Sequence, residues 1–82
     1  MFGRRDERPP LERALAAGAG LKPGGWDSVE ALAMLSIEAR GRPEAQTLYD
    51  TALDASTRLA SGSWESVAAL AWLARAGREL TG

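Results

Sequence analysis

The sequence predicts an all-α fold of four helices in two antiparallel hairpins, the first helix short. Three observations lead there. Apolar residues recur every three to four positions, no stretch alternates polar and apolar residues between turn signals, and one tryptophan-led segment occurs twice. With 82 residues, 45% hydrophobic and 26% charged, the chain has material for one small core. That core is placed in a single domain over residues 11–82, behind a flexible tail of residues 1–10.

The tail holds Arg4, Arg5, Asp6, Glu7 and Arg8 and closes with Pro9-Pro10, leaving little to bury. Leu11, Ala14 and Leu15 then fall at helical spacing, and Pro10 suits a first helical position because its missing N–H would have no partner there. This helix is expected to end near Gly18. The following stretch to Gly25 has too many glycines, together with Pro23, to continue it. A second helix is expected from Trp26 or Asp27 to Arg40, opened by a capping box between Asp27 and Glu30. Its apolar residues spread around most of its circumference, so it should touch neighbours on more than one side. Gly41 suits the position just past its end, and Pro43 can open a third helix; so short a connection implies a hairpin. Helix three places Ala45, Leu48, Tyr49, Ala52, Leu53, Leu59 and Ala60 on one stripe, with Gln46, Thr47, Asp50, Asp54 and Arg58 opposite. Ser61-Gly62-Ser63 interrupts it, and Ser63 is a suitable N-cap for a fourth helix from Trp64 to about Arg78.

The strongest internal signal is a duplication. Residues 26–35, WDSVEALAML, align without a gap on residues 64–73, WESVAALAWL, at a spacing of 38. A period of this length belongs to stacked helical units, none of which can bury its apolar face alone. Gly41-Arg42-Pro43-Glu44-Ala45, with Leu48-Tyr49 and Ala52-Leu53, resembles the second helix of a tetratricopeptide unit, and Leu32-Ala33 resembles the leucine and small residue of that family's first helix. Trp64 with Val67-Ala68 looks like the start of a next unit. The pattern departs from the family at Ser36, where an aromatic is usual, and near Thr57, where no proline closes the unit. The resemblance spans about residues 29–76 and implies a helical-hairpin scaffold that presents a groove to a partner.

Composition narrows the chemistry. The chain has no cysteine and no histidine, which removes disulfides, Cys/His zinc sites, thiolate nucleophiles and imidazole acid–base catalysis. Its one lysine, Lys22, lies in the glycine-rich loop, so hydroxyl nucleophiles lack a suitable base, and no enzyme, cofactor or metal is expected. A formal net charge of −1 gives no general attraction to nucleic acid, and no apolar run approaches the length of a membrane span. Nine arginines to one lysine and no asparagine suggest a GC-rich, bacterial gene; no export signal is visible, so the cytoplasm is the expected compartment.

Several local features invite a sharper function. Asp27-Ser28-Val29 at a helix start resembles the modification site of acyl and peptidyl carrier proteins, which implies a phosphopantetheine arm on Ser28. Ser66 repeats the Ser28 position, however, which favours a shared requirement of helix starts. Asp50 and Asp54, one turn apart, could pair as carboxylates, yet their face is the wet side of helix three. Gly18, Gly20, Gly24 and Gly25 before a helix could cradle phosphate, but no strand precedes them and no Gly-Lys-Ser/Thr order is present. Arg75 and Arg78 are too few for a DNA-reading helix. Three tryptophans are hard to bury fully in so small a core. Trp26, Met34, Trp64 and Trp72 are therefore the expected contact surface of a non-catalytic interaction module that binds a protein partner or a second copy of itself.

Overall fold

The computed structural model describes residues 7–81, which form four helices: α1 (Pro10–Gly20), α2 (Trp26–Glu38), α3 (Glu44–Ser56) and α4 (Trp64–Thr81). Among the described residues there is no strand. Most of the expected tail, residues 1–6, lies outside them, as does Gly82.

Long-range contacts fix the directions. The Trp26 indole N–H donates to the Ala60 carbonyl at 2.8 Å, so the start of α2 lies beside the end of the α3 segment and the two run antiparallel. Arg40, just past α2, pairs with Glu79 near the end of α4, so α2 and α4 run parallel. Arg42 reaches Glu12 at 2.7 Å, which sets the start of α1 against the end of α2. Helix α2 packs on α3 and α4 together, whereas α1 touches α2 alone.

Small residues make this packing possible. The buried apolar residues are Val29, Leu32, Ala33, Ala39, Ala45, Leu48, Ala52, Ala55, Ala69, Leu73 and Ala76, so seven of eleven are alanine. Helices that meet through alanine approach at the short end of the usual range. At two further positions the approach needs the same economy of volume. Ser36 is fully buried, its hydroxyl turned back on the Ala33 carbonyl at 2.7 Å. A Cβ at Gly77 would stand 3.1 Å from the Tyr49 hydroxyl, so the glycine admits the phenol between α3 and α4.

Element ends depart from expectation for local reasons. The Asp27–Glu30 capping box does not form, because Gly25 is the N-cap and Asp27 already lies in the first turn. The reciprocal role falls to Ser28, described below; the Asp27 carboxylate accepts the Ser28 N–H at 2.8 Å. Ser63 is the expected N-cap of α4, its Oγ accepting the Ser66 N–H at 3.2 Å. Helix α2 stops at Glu38, two residues early, and Gly41 turns the chain with φ +92°, a left-handed conformation that strains other residues. Helix α3 stops at Ser56 instead of Ala60. Ser56 and Thr57 hydroxyls bond back to the Leu53 and Asp54 carbonyls, and the Thr57 and Arg58 N–H groups close three-residue turns. Helices α1 and α4 run on to Gly20 and Thr81, two and three residues past their expected ends.

If close packing at Ser36 is what holds α2 in place, volume there matters more than polarity. Ser36→Ala should change unfolding free energy by under about 1 kcal/mol, whereas Ser36→Phe should cost about 3 kcal/mol or abolish folding. Urea unfolding followed by circular dichroism measures both; a stable Phe variant would contradict the packing described.

Candidate protein-interaction surface

Both copies of the duplicated segment begin the same way. The Ser28 Oγ accepts N–H bonds from Gly24 at 3.0 Å and Gly25 at 3.1 Å and donates to the Gly25 carbonyl at 2.6 Å. Ser66 Oγ accepts from Gly62 and Ser63, each at 3.2 Å, and donates to the Ser63 carbonyl at 2.6 Å. A hydroxyl has one proton and two lone pairs, so each serine is fully engaged in closing its own helix start. An ester at Ser28 Oγ would remove the proton now given to Gly25. The same bonds occupy the Gly24 and Gly25 N–H groups, the anion donors that a phosphate loop would require.

Trp26, Met34, Trp64 and Trp72 occupy different environments. Trp26 and Trp72 are half-buried and pack against the core, Trp26 tied to Ala60 and Trp72 overlaid by the Arg75 guanidinium 5.5 Å from its ring centre. Met34 is exposed on the outer side of α2, facing a groove beside α1. Trp64 is 84% exposed at the start of α4.

The two copies differ most in what covers them. Val29 is fully buried and its counterpart Val67 is 55% exposed; Leu32 is buried and its counterpart Leu70 is 42% exposed. The same reversal holds for Ala33, buried, and Ala71, exposed. In α2 this face lies under α3 and α4. In α4 the inward stripe is Ser66, Ala69, Leu73 and Ala76, so Trp64, Val67, Ala71 and Ala74 point away from the protein. Arg75 and Arg78 continue that outer face, and no carboxylate interrupts it. The four expected residues do not share one face; the exposed apolar side chains of α4 are Trp64 with Val67 and Leu70, which the sequence does not single out. The spacing Ser66-Ala69-Leu73-Ala76 holds the signal for them, because a stripe of small residues matching the α2 packing partner assigns the opposite side of α4 to solvent.

Other candidates are ordinary surface. Asp50 accepts from Gln46 at 2.9 Å and Asp54 pairs with Arg58, both exposed on α3. Among the described residues no group of three acidic, His or Cys side chains could hold a metal ion, and no helix is long and apolar enough to cross a membrane. The chain matches no protein family, no curated protein and no solved structure.

The tryptophan environments can be checked by iodide quenching at low micromolar concentration. Trp64→Phe should remove the accessible, red-shifted fraction of the emission, while Trp26→Phe should leave that fraction in place. Equal loss from both variants would contradict the placement.

Proposed function

We propose that the protein is a cytoplasmic, non-catalytic interaction or assembly module that offers an apolar helical face to a protein partner or to another copy of itself. The observation that carries this reading is the outer face of α4. Trp64, Val67 and Leu70 form three exposed apolar side chains within two helical turns, while their counterparts on α2 are buried or half-buried. A contiguous exposed apolar stripe on a small domain marks a contact surface. Full use of the Ser28 hydroxyl in the α2 start supports a structural role for that serine over a carrier role. Two arginines on the outer face of α4, one laid over Trp72, fall short of the basic surface that nucleic-acid binding needs.

Site-specific photocrosslinking in the producing cell tests the reading. A benzophenone side chain at position 67 should yield discrete protein adducts on irradiation, and the same probe at Gln46, on the wet side of α3, should yield none. Absence of adducts at 67, or equal yields at both positions, would contradict it.

A further inference from the structure

The duplicated segment also specifies what fits the outer face of α4, an inference that rests on the interaction reading above. Inside the chain, α2 lies in the notch between α3 and α4. It fills that notch with Val29, Ala33 and Ser36, all fully buried. On α4 the counterparts of these three residues, at the 38-residue spacing, are Val67, Ala71 and Ala74, and all three are exposed. The second copy thus presents outward the residues with which the first fills a notch.

The protein has another notch of the same kind. Helices α1 and α2 border an apolar groove of about 550 Å³, walled by Ala14, Ala17 and Leu21 on one side and Ala31, Met34 and Leu35 on the other. Ala31 and Leu35 are the counterparts of Ala69 and Leu73, the buried residues of α4's inward stripe. Helix α1 holds α2 as α3 holds α4, antiparallel and on the side of α2 that also faces α3; a smaller groove of about 340 Å³ separates α1 from α3. Among the described residues, a filling face without a notch lies at one end and a notch without a filling helix at the other.

Charge agrees with the match. The outer face of α4 ends in Arg75 and Arg78, and Glu38 borders the groove at the end of α2 that a parallel incoming helix brings them to, whereas Asp27 and Lys22 lie at the other end. Arg78 is the counterpart of Arg40, which within the chain pairs with Glu79 at the end of its parallel neighbour. In a continued stack Arg78 of the incoming helix lies at the end of the receiving α2 that carries Glu38.

We infer that copies of this chain stack head to tail, the outer face of α4 in one copy filling the α1–α2 notch of the next, so that the internal α2–α4 contact is repeated between chains. The two surfaces of such a contact are different, so every dimer retains one free notch and one free face and grows with concentration.

Sedimentation velocity with two single variants distinguishes this from other arrangements. Wild-type protein should increase in mean mass between low micromolar and millimolar concentration. Val67→Lys and Ala31→Arg, both at exposed helical positions, should each remain monomeric over that range, with unchanged helical circular dichroism. Mixed in equal amounts they should form a species of two subunits and nothing larger, because each retains the surface that the other lacks. Met34→Lys repeats the test from the same groove. If Ala31→Arg and Met34→Lys still self-associate like wild type, or if the mixture remains monomeric, the head-to-tail contact is overturned. A wild-type protein that is monomeric at millimolar concentration also overturns it, while adducts to a different protein from position 67 would leave the interaction reading standing.

Discussion

The close parallel contact between α2 and α4 is the constraint on which the rest of the molecule depends. It joins two copies of one segment in register, and it exists because small residues line it: Ala33 and Ser36 on one side, Ala69 and Ala76 on the other. Buried alanines contribute little area each, so stability comes from many close contacts and from the few larger residues, Val29, Leu32, Leu48 and Leu73, that close the interior. The pair also sets where the remaining helices can lie. Helix α3 covers the seam between α2 and α4, and Tyr49 enters beside Gly77.

Repetition has a direct consequence for the surface. A segment that packs by translation has one face that receives a neighbour and another that is received, and two copies can satisfy only one contact between them. The face left over on α2 is partly sheltered by α1, which buries none of its own residues and is held by the Glu12–Arg42 pair and by contact of Gly18 with Leu35. Among the described residues nothing shelters the face left over on α4. Exposed surface ion pairs stabilise by only about 0–1 kcal/mol, so α1 is the helix most easily displaced. The helix-start serines close both repeated segments with the same three hydroxyl bonds.

Much of this is legible in the sequence, and the limits have physical causes. Four helices, their order and the α2–α3 turn follow from periodicity, Gly41 and Pro43, because those signals act within a few residues. The start of α2 reads as an Asp27–Glu30 box because Asp27 is as good a capping residue as any nearby; Ser28 closes the turn instead, and only the position of the Gly25 backbone decides between them. The end of α3 reads too late because Leu59 and Ala60 continue the apolar stripe; Ser56 and Thr57 bonding to preceding carbonyls ends the helix regardless. For the candidate surface, the tryptophans are visible as residues but not as environments. Trp26 and Trp64 begin matching segments, yet one bonds to Ala60 while the other is exposed, a difference set by which copy has a neighbour.

That difference offers the most direct measurement. Methyl signals of Val29, Leu32, Val67 and Leu70 can be recorded in dilute protein with a soluble gadolinium chelate, which broadens protons in proportion to their exposure. Unequal treatment of identical residues is the expected result: strong broadening at Val67 and Leu70, and sharp signals at Val29 and Leu32. Equal broadening of the two copies would contradict the account, since neither segment would then be covering the other.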